Sequence, residues 1–428
     1  MKKEKFIKAT LILIIGGFLT KVLGMFIRIV QTRLIGLEGI GLYMLILPTF
    51  SLFITLAQLG LPVALSKLIA EDRKDNKRLL MSAIPIIIVV NIILIIIIII
   101  IAPFLAKYLL SDRRTLYPLL SIAVVLPFIS LSCIVRSYFF GKQQMFPHVL
   151  SHIVEQITRL LAILIIVPIL YQRSITLAVS GVVLVNIFSE LMSIIILGGY
   201  LPKHAPIKTN LKPHREDIKD ILDIGLPTTG GKVIGSISYF LEPIILTQVL
   251  LSIGYSNHFI VTEYGILTGY VFPLLFLPSF FTQAISSVLI PVISEQYVHH
   301  NIIYIKTKLN QAILFSLIIG LVITTLYLLY PHFFLKLIYN TEKGINYLRI
   351  LSPVFLLYYI QLPLTATLQA LGKAKIAMFN ALKSVTLKTL LLFLLSFLHI
   401  GIGGLIIATA TGIVVLTTLD FYQVKQHL

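Results

Sequence analysis

Residues 84–106 read IPIIIVVNIILIIIIIIIAPFLA and decide the class of this chain. They include seven consecutive isoleucines, at positions 95–101, and no charged side chain. A helix that crosses a bilayer needs about 20 predominantly apolar residues. This stretch therefore predicts a membrane-spanning helix, and its almost purely aliphatic composition indicates that it faces lipid.

Comparable apolar stretches continue on both sides, and together they predict an all-α membrane protein with twelve spans. Of the 428 residues, 57% are hydrophobic and only 12% are charged. Soluble domains carry about 25% charged residues, so this composition excludes an ordinary soluble enzyme. The predicted spans cover residues 9–30, 40–66, 80–106, 116–135, 146–170, 175–199, 220–251, 264–290, 311–330, 347–370, 376–398 and 401–422.

Basic residues are distributed unequally between the predicted loops. The chain has 35 basic and 17 acidic residues, which gives a formal net charge of +18. With a cytoplasmic N-terminus, 21 basic residues lie in cytoplasmic loops, 7 in loops on the other side and 7 within spans. Because positively charged loops stay on the cytoplasmic side, we expect both termini to be cytoplasmic. This bias explains the net charge without a nucleic-acid partner.

The two halves of the sequence repeat each other. Residues 21–24 (KVLG) match 232–235 (KVIG) at an offset of 211, and the GK pair at 141–142 recurs at 372–373, an offset of 231. Six spans per repeat predict two parallel halves, 1–201 and 220–428, joined by a basic linker at 202–219. In transporters built from such repeats, the substrate site lies between the halves. We therefore expect a central cavity.

Polar residues form one stripe in the first span and another in the seventh. Their spacing places the members of each set on one helix face. Intramembrane charges are costly, which favours a cationic cavity shared by the two halves. Snorkelling of the lysines to the interface is the alternative. The first stripe is Lys21, Gly24, Arg28 and Gln31; the second is Lys232, Gly235, Tyr239 and Glu242.

The fifth span carries a third polar stripe, in which Glu155 and Arg159 are four residues apart. They form either a structural ion pair or the wall of a substrate cavity with a titratable carboxylate. His148 and His152 share this face, but no fourth ligand accompanies them, so no metal site is expected.

Asn380 and Ser384, on one face of the eleventh span, are candidate oxygen ligands that join Glu242 around a small coupling cation. No phosphate-binding loop is present, so no built-in ATPase is expected. We expect no cofactor, and transport coupled to Na⁺, H⁺ or the membrane potential.

Several motifs resemble those of the stage V sporulation protein B family, within the multidrug/oligosaccharidyl-lipid/polysaccharide exporter superfamily. They are GMFIR at 24–28, GLPVALSKLIAE at 60–71, RSYFFG at 136–141 and LQALGK at 368–373. The resemblance spans nearly the whole chain. Many members have fourteen spans, whereas twelve are predicted here.

The resemblance implies a secondary-active flippase, related to lipid II flippases, in the bacterial cytoplasmic membrane. It would move a polyprenyl-pyrophosphate-linked glycan precursor, for peptidoglycan or another polysaccharide, by alternating access. It further implies that basic residues of the first helix line the cavity and that a carboxylate of the seventh joins a cation site. Arg28 and Glu242 match these positions. The expected partners are the lipid-linked saccharide and membrane lipids, and the protein is expected to be monomeric.

Three other functions stay open at this stage. One is a multidrug or metabolite cation antiporter of the same superfamily, although such proteins prefer acidic cavities. A membrane glycan polymerase or ligase is disfavoured because the outer loops are short and offer no tight carboxylate pair. A non-transporting scaffold is the last. We expect a transporter rather than an enzyme, with Lys21, Arg28, Glu155, Arg159 and Lys232 in the substrate cavity.

Overall fold

A computed structural model describes residues 2–71, 75–201 and 213–428, which form helices and, within these ranges, no strand. Two π-helical segments, Leu105–Leu109 and Ile266–Val271, and a short 3₁₀ turn at Arg113–Thr115 extend or join the helices. The α-helices are α1 Lys2–Gln58, α2 Leu61–Ala70, α3 Asn76–Phe104, α4 Leu116–Gly141, α5 Met145–Tyr171, α6 Ile175–Tyr200, α7 Arg215–Ser252, α8 Asn257–Gly265, α9 Phe272–Phe276, α10 Ser279–Val298, α11 Ile302–Leu329, α12 Pro331–Tyr339, α13 Ile345–Ala370, α14 Ala374–Ser396 and α15 Gly403–His427.

Helix α1 contains the first predicted span and most of the second. Its 57 residues would extend about 85 Å, far more than the roughly 30 Å hydrocarbon core of a bilayer. The helix is interrupted at Gly36, where φ is 66° and ψ is −173°. A left-handed φ is readily accessible to glycine, so Gly36 marks the division between the two spans.

The predicted all-α membrane fold is confirmed. Within the described residues, eleven helical stretches are long and apolar enough to cross a membrane. The first of them, Ile15–Ala70, contains two of the predicted spans. Each of the twelve predicted spans therefore corresponds to helix in the structure.

Some predicted boundaries are wrong. The eighth predicted span, 264–290, is interrupted after Phe276, and α10 starts at Ser279 behind Pro278. Proline lacks the backbone N–H that would continue the helix. Helix α4 runs to Gly141 rather than 135, which places Arg136 inside a span. Helix α7 begins at Arg215, inside the predicted linker, while residues 202–212 lie outside the described ranges.

The second and eighth predicted spans are both interrupted. The second predicted span breaks at Leu59 and Gly60, both with left-handed φ values of 42° and 65°. The eighth breaks at Leu277 and Pro278. The two interruptions differ in conformation, because Leu277 and Pro278 keep right-handed φ values of −56° and −63°.

By packing, the chain forms two compact units, Met1–Phe240 and Leu241–Leu428, so the division falls inside α7. In the first unit, the start of α7 packs on α2 and α3. Ile221 lies in a buried cluster with Leu61 and Leu79, and Arg78 Nε lies 2.7 Å from Asp217 Oδ2. The division predicted at 202–219 follows the sequence repeat rather than the packing, and stays a prediction.

In the second unit, apolar side chains from α10, α11, α13, α14 and α15 form a buried core. It includes Leu289, Leu309, Leu368, Ala377 and Val424. Helices α13, α14 and α15 pack beside one another, so polar residues on their facing sides are enclosed within the unit.

Candidate functional site

The polar stripe of the first span passes from the surface into the first unit. Lys21 is exposed, Arg28 is half-buried and Gln31 is buried. Arg28 Nη2 lies 2.9 Å from the sulfur of Met44, beyond the interruption at Gly36. The guanidinium therefore lies between the two limbs of α1. Its position fits a charged group on the inner side of this helix rather than one that faces lipid.

The matching stripe of α7 shows the same gradient. Lys232, Gly235 and Tyr239 are exposed, whereas Glu242 is buried in the second unit. Lys388 Nζ of α14 lies 2.6 Å from Glu242 Oε2, and the hydroxyl of Tyr264 donates a hydrogen bond of 3.3 Å to Glu242 Oε1. The carboxylate is thus compensated by an ammonium group within its own unit.

Asn380 and Ser384 were predicted to share a cation site with Glu242. In the structure, their side chains form hydrogen bonds with other residues. Asn380 Nδ2 donates to Asp420 Oδ1 at 2.9 Å, and the hydroxyl of Ser384 donates to the Gly412 carbonyl at 2.8 Å. Residues 380, 384 and 388 are spaced i, i+4 and i+8 on α14, so they lie along one face. Lys388 is the member of this face that reaches Glu242.

The fifth-span stripe belongs to a buried charge network in the first unit. Glu155 accepts from Arg159 Nη2 at 2.5 Å and from Arg136 Nη2 at 2.9 Å. The same Arg136 nitrogen lies 2.8 Å from Glu190 Oε2, and the hydroxyl of Ser132 also donates to Glu190. Helices α4, α5 and α6 are therefore joined by two carboxylates and two guanidiniums.

The charges of this network balance. Each carboxylate is buried, with 6% of its side chain exposed, and Arg136 is 14% exposed. Buried charges are tolerated when they are paired and hydrogen-bonded. The pairing of Glu155 with Arg159 agrees with the structural-ion-pair interpretation of their spacing. His152 Nδ1 lies 3.3 Å from Glu155, and no metal-binding group of three ligands occurs in the described ranges.

Sequence reasoning missed three residues that the structure places at these sites: Arg136, Lys388 and Asp420. Arg136 was assigned to a loop because the apolar run ends just before it. Lys388 lies one helical turn after Ser384, on the same face as Asn380 and Ser384. Its spacing in the sequence could therefore have identified it. Asp420 is an acidic residue within the last predicted span, which is a general sign of a functional or paired group.

The arrangement of helices matches that of known membrane transporters. A solved structure described as the inward-facing conformation of a multidrug resistance MATE family transporter of the MOP superfamily aligns with a TM-score of 0.68. The alignment covers 95% of this chain and 94% of that chain at 18% identity. The chain therefore has the multi-span fold found in transporters of that superfamily.

Sequence comparison is more specific. The model of a family described as "Polysaccharide biosynthesis protein" matches residues 6–297. Stage V sporulation protein B of Bacillus subtilis (strain 168) is 37% identical over the full chain and 85% of its own length. The lipid II flippase MurJ of the same strain is 23% identical over 99% of the chain and 83% of its own length. The chain belongs to the stage V sporulation protein B family of polysaccharide biosynthesis proteins.

Proposed function

We propose that this protein is a secondary-active flippase for a polyprenyl-pyrophosphate-linked glycan precursor, with no cofactor and no enzymatic step. It would act as a monomer, driven by an ion gradient or the membrane potential. Family membership supports this proposal, because the relatives' names refer to polysaccharide biosynthesis and lipid II flipping. A pyrophosphate is strongly anionic, and arginine binds phosphate oxygens bidentately in low dielectric.

The accessibility of the charged groups carries the proposal. Four carboxylates within the described spans are buried: Glu155, Glu190, Glu242 and Asp420. Lys21 and Lys232, by contrast, are exposed. A cationic substrate needs an accessible carboxylate, whereas an anionic headgroup needs accessible cations. The distribution therefore favours an anionic substrate.

Replacement of Arg28 tests the assignment. Arg28→Ala is expected to lower flipping of a polyprenyl-pyrophosphate-linked saccharide in proteoliposomes by roughly 10–100-fold, because a charge-assisted hydrogen bond is worth about 1.5–3 kcal/mol. Membrane insertion should be unaffected, since removing an intramembrane charge eases it. Arg28→Lys should recover little activity because lysine lacks the planar fork.

Arg33→Ala is the matched control, because Arg33 is an exposed arginine of the same helix that lies off the stripe. It should flip the substrate at the rate of the parent protein. Parental flipping by Arg28→Ala, at equal protein amounts in the liposomes, would show that Arg28 does not contact the headgroup.

A second candidate function is cation antiport, which the match of a MatE family model to residues 237–394 favours. The same proteoliposomes distinguish the two functions when they are loaded with a cationic dye instead of the lipid-linked saccharide. Dye export driven by an ion gradient, without saccharide flipping, would support antiport. We expect the reverse result because the interior carboxylates are buried.

The proposed orientation places both termini in the cytoplasm of a bacterial cell. Single cysteines at two exposed positions test it: His299→Cys, just after α10, and His258→Cys, near the start of α8. An impermeant thiol reagent added outside intact spheroplasts should label position 258 and not 299. The parent protein is the control, because its single cysteine, Cys133, is buried. Labelling of 299 from outside would invert the topology.

A further inference from the structure

Asp420 is a buried carboxylate whose partners are all neutral. It lies in α15 with no exposed surface. The hydroxyl of Thr365, in α13, donates to one carboxylate oxygen. The side-chain amide of Asn380, in α14, donates to the other at 2.9 Å. Three helices of the second unit therefore meet at this carboxylate.

Among the described residues, no ion pair joins Asp420 to a basic side chain, and Lys388 pairs with Glu242. Burying an ionised carboxylate without a cation has a large free-energy cost, and two hydrogen bonds from neutral groups offset only part of it. This environment favours the neutral carboxylic acid. The titratable side chains of the helices packed around Asp420 are Tyr347, Arg349, Tyr358 and Tyr359 in α13, Lys375, Lys383 and Lys388 in α14, and Tyr422, Lys425 and His427 in α15.

Glu190 is the counterpart of Asp420 in the first half of the sequence. Glu190 precedes Asp420 by 230 residues, close to the 231-residue offset of the repeat in this region. In both halves a hydroxyl from the corresponding helix donates to the carboxylate, Ser132 from α4 and Thr365 from α13. Glu190 also has an arginine, Arg136, whereas Asp420 has the neutral amide of Asn380. The two halves thus hold one compensated and one uncompensated carboxylate.

We propose that Asp420 is a proton-binding site that couples transport to the proton gradient. In the conformation described here, the carboxylate holds one proton from water as a carboxylic acid. When transport hydrates the site from the opposite side of the membrane, the acid releases that proton to water and becomes a carboxylate. The coupling rests on the proposed flippase function, but the proton-binding site itself does not.

Infrared spectroscopy of the purified full-length protein tests the site without any substrate. The carbonyl stretch of a protonated carboxylic acid should be present near neutral pH and should disappear in Asp420→Asn. Asparagine keeps the size of the side chain. Its Oδ1 can accept from Asn380, and its amide nitrogen can donate to the Thr365 hydroxyl, which both donates and accepts, so packing should survive. Asp223→Asn is the control because Asp223 is an exposed aspartate at the start of α7; it should leave the band unchanged.

Thr365→Val gives a second assignment if Asp420→Asn does not fold. Loss of the hydroxyl should shift the frequency of the same carbonyl band, because that hydroxyl bonds the carboxyl group. A parent protein without a protonated-acid band at neutral pH would overturn the proposal. So would a band that neither variant changes.

Flipping assays then test the coupling. An imposed proton gradient should stimulate the parent protein and leave Asp420→Asn at its rate without a gradient. Unchanged stimulation in Asp420→Asn would show that Asp420 is not the coupling site. If the parent protein flips no saccharide while its Asp420 band is present, the flippase function fails and the proton site stands.

Discussion

Arg136→Gln is expected to lower the free energy of unfolding by roughly 3–5 kcal/mol, the typical cost of breaking a buried ion pair. Arg136 lies within 3 Å of two buried carboxylates, Glu155 and Glu190. Without it, two negative charges would share the single positive charge of Arg159. Thermal unfolding in detergent and the amount of protein in membranes should both show the loss.

A double substitution tests whether the loss of stability comes from unbalanced charge or from the changed shape of the side chain. Arg136→Gln/Glu190→Gln removes one charge of each sign and leaves Glu155 paired with Arg159. It should recover most of the lost stability, since replacing a whole buried pair is far milder than removing one partner. The control is Arg173→Gln, in the exposed turn between α5 and α6. If Arg136→Gln unfolds at the parent's temperature, the three helices are not held by this network.

The helices were predictable because the bilayer imposes a strong and local requirement. An apolar run such as 84–106 must be helical, since lipid offers no partner for backbone polar groups. The division between the first two spans was located because charged and glycine residues interrupt the apolar pattern around Gly36. Boundaries were less predictable where polar residues remain inside a helix, as at Arg136 in α4.

Local pairs were predictable and distant ones were not. Glu155 and Arg159 are one helical turn apart, so their contact follows from helix geometry alone. The partner of Glu242 is 146 residues away, and its identity depends on how α14 is rotated against α7. Spacing placed Asn380 and Ser384 on one face, but it did not identify Lys388, the residue of that face that reaches the carboxylate.

The pairing of Glu242 with Lys388 changes what is expected of ion coupling at this residue. Nζ of Lys388 lies 2.6 Å from the carboxylate, at the distance of a strong charge-assisted hydrogen bond. The carboxylate therefore has a cation covalently attached to the chain and requires none from solution. We expect the parent protein to be insensitive to replacement of Na⁺ by choline.

Lys388→Met should make flipping depend on Na⁺. Of its partners among the described residues, the buried carboxylate of Glu242 would keep the Tyr264 hydroxyl, and Na⁺ from solution could then compensate its charge. We expect flipping without Na⁺ to fall by at least about tenfold, which corresponds to about 1.4 kcal/mol, and to recover as Na⁺ is added. Glu242→Gln/Lys388→Met lacks both charges and should not respond to Na⁺.

Thermal unfolding gives a readout that needs no substrate. A ligand that binds only the folded state raises the unfolding temperature as its concentration rises. Na⁺ should therefore stabilise purified Lys388→Met more than K⁺ does, and should have no such effect on the parent protein. Lys383→Met, which removes an exposed lysine of the same helix, should behave like the parent. A parent protein that itself requires Na⁺, together with a Lys388→Met variant that does not respond to it, would show that the ammonium of Lys388 does not replace a coupling cation.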